Sequence, residues 1–355
     1  MNNGTPTMRR RKQVFFSIVM VVLVCFIIYT SLEIAVRWFD LPDPGLIRAI
    51  DKTLASAERI EGYFDWEAPI YGWDQDLVID SSSDLNSSMS DTAYTVLFVG
   101  DSVTRGYGVD IHKEAYPILL SKTLAHNTSV RVLNTAVQGF DVVQMILKLE
   151  ELVPKYRPDL IVFAYIPHDL WRSARDINYG FTKPVLVVDE SKNWKVIPAP
   201  NIREFYKDYL NAKRRLYLSL WSLSHLVSNR RYYFPWFYKK YYRSLFQEIR
   251  NRLIALAEQY KVKILVVRLA STWPGPPVPF LDRIARDIFA VPADLERFYY
   301  FDSEGCVRAK SMALGMNYDK EFRFHPTPIG HKIYADCLAE PLRAALFSPR
   351  RRIAY

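Results

Sequence analysis

The chain has 355 residues, half of them hydrophobic, with a net charge of +9 and three cysteines. This is enough for one sizeable α/β core with attachments and too short to demand several domains, and three cysteines exclude a disulfide scaffold. The charge is uneven: the cations at Arg9, Arg10, Arg11 and Lys12, with 11 basic against 3 acidic side chains over residues 201–250, account for more than the whole excess. The core is therefore not basic, which argues against a nucleic-acid protein, whose basic face would coincide with its functional surface.

In chain order, a basic tail (1–13) leads into a nearly uninterrupted apolar run over residues 14–32. That run approaches the roughly 20 residues that cross a bilayer as a helix, so we expect a single transmembrane helix over 14–36. The basic cluster before it holds the N-terminus in the cytoplasm, which places the bulk of the chain in the periplasm or outside the cell. A cleaved signal peptide competes with this reading. The run exceeds a typical signal core, however, and Thr30-Ser31-Leu32-Glu33 is a poor cleavage site. The Pro-Gly cluster from Asp40 to Gly45 then breaks the helix, and residues 37–92 read as a membrane-proximal spacer.

Strands and helices alternate next: strand 94–99, a helix near 114–126, strand 130–133, helix 142–156 and strand 160–165. Such alternation implies a parallel sheet covered on both faces, in a domain over 93–347. An insertion over about 175–250 interrupts it with a β-hairpin (184–188 and 194–197). An aromatic and basic stretch over 203–250 follows, which suits a membrane interface, a glycan-binding lid or an amphipathic cap. The pattern resumes with helix 245–260, strand 262–269 and a Pro-rich loop over 274–279. The last helix is expected from Pro328, capped by Thr327, with Ile329, Ile333, Cys337, Leu338 and Leu342 facing the sheet. A short basic tail (348–355) ends the chain. Cys25 falls within the expected span, and Cys306 and Cys337 read as unpaired, buried small residues.

The chemistry concentrates at strand ends. Gly100-Asp101-Ser102 follows the first core strand directly and opens a helix, so Ser102 stands where open α/β folds bind ligands, beside N–H groups able to hold an anion. A serine nucleophile needs a base, and His325 precedes the last helix. His331 lies inside that helix and is expected to pack or cap; Asp101 and Asn134 read as loop-shaping residues. No phosphate-binding glycine loop, Gly-x-Ser-x-Gly elbow or metal-spaced His/Cys cluster occurs, so neither metal nor cofactor is expected.

Gly100-Asp101-Ser102 with Thr104, Gly106, Gly108 and Val109, the run Asn134 to Gly139, and His325-Pro326-Thr327 with Gly330 and His331 together resemble the successive blocks of the SGNH (GDSL) hydrolase superfamily across residues 94–347. The resemblance implies a flavodoxin-like three-layer α/β/α sandwich, with Ser102 as nucleophile, His325 as base, and the N–H groups of Ser102 and Gly139 as oxyanion hole. Two departures stand out. Where the family has an oxyanion asparagine this chain has His168, either a replacement donor or a surface residue. Where the family's triad acid commonly stands it has Phe322, which leaves Asp319 or Glu321 as candidate acid, or a Ser-His dyad. The expected activity is hydrolysis of an acyl ester, on an acylated envelope glycan, an exopolysaccharide or a small ester. Two rivals are a polysaccharide O-acetyltransferase using the same site and a non-catalytic scaffold of polysaccharide assembly.

Overall fold

The computed structural model describes residues 6–39, 78–81, 94–124, 129–178, 181–214, 218–272, 278–290 and 296–347. Most of the expected spacer, both extreme termini and much of the Pro-rich loop lie outside them.

Helix α1 (Pro6–Phe39) contains the window Gln13–Trp38, long and apolar enough to cross a membrane. Its apolar side chains from Val14 to Ile28 point outward rather than into a core. A short strand β1 (Ile79–Asp80) precedes the first long strand, β2 (Tyr94–Val99). There follow helix α2 (Ser102–Arg105), α3 (Tyr116–Leu124), β3 (Val130–Asn134), α4 (Val142–Tyr156), β4 (Leu160–Tyr165) and α5 (Pro167–Arg172). Asp141 starts α4 by accepting from the N–H groups of Val143 and Gln144, while the Gln144 side chain accepts from Asp141 N–H, a reciprocal cap that makes this boundary legible in the sequence.

The inserted segment contains the expected hairpin, β5 (Val185–Val188) paired with β6 (Trp194–Ile197), then α6 (Ile202–Arg214), α7 (Leu218–Ser228) and the long α8 (Lys239–Tyr260). The core resumes with β7 (Lys263–Arg268), α9 (Val278–Phe289), β8 (Phe298–Asp302), α10 (Glu304–Ala313), α11 (Tyr318–Glu321) and α12 (Pro328–Phe347). Helix α9 begins within what reads as a Pro-rich loop, because Pro279 sits in a first helical turn, where its missing N–H costs nothing.

The sheet order is β1-β3-β2-β4-β7-β8, with every neighbour parallel except the antiparallel edge pair β1 and β3. Leaving out that edge, the parallel strands run in the flavodoxin-like order, second-first-third-fourth-fifth, as expected. Ile79 and Asp80 thus give the sheet a strand drawn from within the expected spacer. Strand residues alternate between two cores. Leu97, Val99, Ile161 and Phe163 pack on the side of α4 and α8, and Val96, Phe98, Leu160 and Val162 on that of α3 and α12, giving three layers.

Three sequence expectations are corrected here. Cys306 and Cys337 form a disulfide joining α10 to α12, with their Cα atoms 5.9 Å apart, within bridging range. Ile329, in the first turn of α12, is half exposed instead of facing the sheet; Ile333, Cys337, Leu338 and Leu342 are buried as expected. His168 is buried, which removes the surface reading.

Helix α1 is fastened to the insertion. Glu33 accepts from the N–H groups of Leu218 (3.0 Å) and Ser219 (2.8 Å), the first two of α7, and also holds Arg37 at 2.7 Å. A carboxylate is well suited to that end of a helix, where free N–H groups gather.

Candidate active site

Strand β2 ends in Gly100, and a Cβ there would lie 2.3 Å from Thr104 Oγ1 and 2.9 Å from the Ala164 carbonyl, so only glycine lets the chain turn this closely against β4. Asp101 then caps α2 by accepting from Val103 N–H at 2.9 Å, and its neighbour Ser102 becomes the first helical residue, whose own N–H has no intrahelical acceptor. Asn134 holds the other side of the turn, donating to the Thr104 carbonyl (2.9 Å) and accepting from Ala136 N–H (3.2 Å). Both Asp101 and Asn134 shape the loop in the expected way.

The imidazole arrives from the far end of the chain. Thr327 accepts from Gly330 N–H at 3.2 Å as α12 starts, and the loop before it places Phe324 at φ 59° and turns His325 N–H to the Arg323 carbonyl (2.7 Å). This aims the imidazole at β2, with His325 Nε2 2.9 Å from Ser102 Oγ. The Tyr107 ring packs against the imidazole at 4.5 Å between centroids. Ser102 keeps 7% of its surface exposed, while His325 is half-buried and Tyr107 and Phe324 are exposed at the mouth.

Neither candidate acid reaches His325. Glu321 instead accepts from the Thr327 hydroxyl, and Asp319 is exposed on α11. Phe322, three residues before the histidine, is buried against Tyr318 and Tyr334. No carboxylate among the described residues hydrogen-bonds the imidazole, and of the expected site side chains the structure brings Ser102 and His325 together. Burial lowers the His325 pKa below the ordinary histidine range, the charge of Asp101 pulls it back up, and Arg172 pushes it down. The ring is therefore neutral near pH 7.

Beneath the pair lies a buried ionic cluster that no motif announces. Arg172 stands 3.7 Å from Asp101, contacts Asp169 and donates to the Phe140 carbonyl at 2.8 Å. Burial raises the Asp101 pKa against the pull of Arg172, and burial together with the Asp101 charge raises that of Asp169 well above its ordinary value. Lys183, wholly buried, pairs with Asp141 at 2.7 Å. Gly139 adopts φ 81°, open to glycine alone at low cost, and its carbonyl accepts from Asn178 (3.0 Å), itself held by Arg175 (2.7 Å). His168 opens α5 at the carboxyl end of β4, with burial first and the cations Arg172 and Arg175 next keeping its pKa well below the usual value. Asp169 and Arg172 are spaced i,i+3, the only hint of this cluster in the sequence. His331 is buried in α12 and accepts from Tyr116 N–H at 3.3 Å, so it packs as expected.

Fold and site together define a flavodoxin-like α/β/α sandwich with a serine–histidine pair at the carboxyl edge of its parallel sheet. No family model and no curated protein sequence matches the chain. Among solved structures it is similar to TesA, with 15% identity over 71% of this chain and 99% of that one at a TM-score of 0.41. An α/β hydrolase enzyme from the metagenome of Lake Arreo, Spain, is 14% identical over 72% and 96% at 0.41. An acetylxylan esterase from Geobacillus stearothermophilus is 15% identical over 72% and 95% at 0.39.

Proposed function

We propose that the chain is an exported, membrane-anchored serine esterase whose nucleophile is Ser102 and whose base is His325. The observation that carries this is the 2.9 Å separation of Ser102 Oγ from His325 Nε2 at the carboxyl edge of the sheet, within reach for proton transfer. In the acylation step Ser102 Oγ bonds to the acyl carbon and passes its proton to His325 Nε2. The oxyanion is held by the N–H groups of Ser102 and Gly139, with His168 as third donor through one ring nitrogen. His325 then protonates the departing alkoxide as the ester C–O bond breaks. Water then gives a proton to the same nitrogen and bonds to the acyl carbon; the Ser102 Oγ–acyl bond breaks, the acid leaves, and His325 returns the proton to Ser102 Oγ. The charge of Asp101 favours the imidazolium formed in between, part of what a triad carboxylate supplies.

Export is supported by the basic tail before α1 and by the Cys306–Cys337 bond, which persists in oxidising compartments. That placement favours O-acyl, chiefly acetyl, groups of envelope glycan or exopolysaccharide as substrate. A fold kept only as a scaffold needs no alcohol aligned with an imidazole, so the site favours a catalyst.

The test is labelling with a fluorophosphonate probe. Wild-type protein is expected to label, Ser102→Ala to lose labelling entirely and His325→Ala to lose it by a thousandfold or more, on the order found when a serine–histidine pair is broken. A folded wild-type protein that stays unlabelled overturns the reading. Assays with acetylated glycan, with and without a sugar acceptor, separate hydrolysis from acetyl transfer.

A further inference from the structure

Helix α7 turns a row of apolar side chains outward while also burying Leu218. Its Ser219, Ser222 and His225 are buried, whereas Leu220, Leu223 and Val227 are 54, 53 and 50% exposed. Positions 220, 223 and 227 recur at helical spacing and form one outward stripe. A helix facing water segregates the other way, and a run of apolar exposure marks a surface made for an apolar partner. The residues that follow add Trp236 and Phe237, 54 and 79% exposed, with exposed Arg230, Lys239 and Lys240 on either side.

The attachment of α7 to α1 identifies that partner. A hydrocarbon layer of about 30 Å takes about 20 helical residues at 1.5 Å each, so a helix entering at Val14 leaves it at Glu33. Glu33 is the residue that receives the first two N–H groups of α7. The start of α7 is thereby set at the boundary between acyl chains and headgroups. Interfacial helices have this combination of leucines, ring side chains and flanking cations.

We propose that α7, with Trp236 and Phe237, is a second membrane contact, lying in the outer interfacial layer with its leucine stripe toward the acyl chains and its cations toward acidic headgroups. This rests on the reading of α1 as a membrane anchor. The domain is then held against the bilayer at a fixed height, not tethered at a distance.

The test places a fluorescent thiol label on the full chain in nanodiscs of phosphatidylglycerol and phosphatidylcholine, in a Cys25→Ala background. Single sites are Val21→Cys within the span, Leu223→Cys on the stripe and Met312→Cys on exposed α10. Lipids with brominated acyl chains are expected to quench the labels at 21 and 223 and to leave that at 312 bright. All three positions are exposed, and a circular dichroism spectrum matching the wild type verifies that each variant is folded. Quenching at 21 with none at 223 overturns the second contact and leaves the anchor standing. Quenching at neither overturns the anchor and the contact together. A label at 223 that stays bright and water-protected, in particles holding two copies, would assign the stripe to a second chain and overturn the proposal.

Discussion

At the scale of single residues, His331 shows what burial does to a titrating group. It is fully enclosed, accepts from Tyr116 N–H and stacks on the Tyr116 ring, and burial brings its pKa down to about 4, with the nearby His325 adding a smaller push. Its pKa is thus lower in the folded than in the unfolded chain, where it is about 6.5. Between those values the unfolded chain binds the extra proton, so the contribution of His331 is intact above pH 6.5 and is lost as pH falls toward 4. The loss amounts to about 3 kcal/mol. Urea unfolding of wild type and His331→Gln across this window is expected to converge at low pH by roughly that amount. Parallel curves would show that His331 does not titrate on unfolding.

Among elements, the insertion does more than decorate the sheet. A two-residue bridge, Ile177–Asn178 against Phe181–Thr182, opens it, and Asn178 reaches from there to the Gly139 carbonyl while Arg175 holds Asn178. That carbonyl lies on the far side of the Gly139 Cα from the N–H assigned to the oxyanion, so holding it limits rotation of the backbone at Gly139 and steadies the aim of that N–H. Asn178→Ala is expected to lower kcat by roughly tenfold to a hundredfold, less than deleting a donor outright, with KM nearly unchanged. A change confined to KM would place Asn178 in substrate binding. None of this was readable beforehand. The continuous apolar run of β4, the reciprocal cap of α4 and the Thr327-Pro328 start of α12 announce themselves locally, and the blocks around Ser102 and His325 do so by order. Arg172, Asn178 and Lys183 look like ordinary surface polar residues until folding closes Asp101, Asp141 and Asp169 around them. Strand β8 hides for a related reason: its Tyr299 and Tyr300 are only half-buried at the sheet edge, without the apolar continuity of the central strands.

For the molecule as a whole, chain order and spatial order diverge most at the pair itself, since Ser102 and His325 are 223 residues apart and meet only once β2 and the head of α12 reach one edge. The insertion lies between them in sequence and ties the same edge to α1 through Glu33. The Cys306–Cys337 bond spans 31 residues, which include α11, His325 and the start of α12. Closing a loop of that length removes about 3–4 kcal/mol of unfolded-chain entropy, so Cys306→Ser is expected to destabilise by that order, and an unchanged urea midpoint would show that the bond contributes nothing.

That covalent ring also has a consequence for damage. Lys320 and Arg323 are exposed inside it, a few residues before His325. Trypsin cutting there leaves two pieces that travel as one species on a gel until a reductant parts them. A severed backbone in this stretch therefore does not release the histidine-bearing fragment, and the two halves stay covalently joined after a nick.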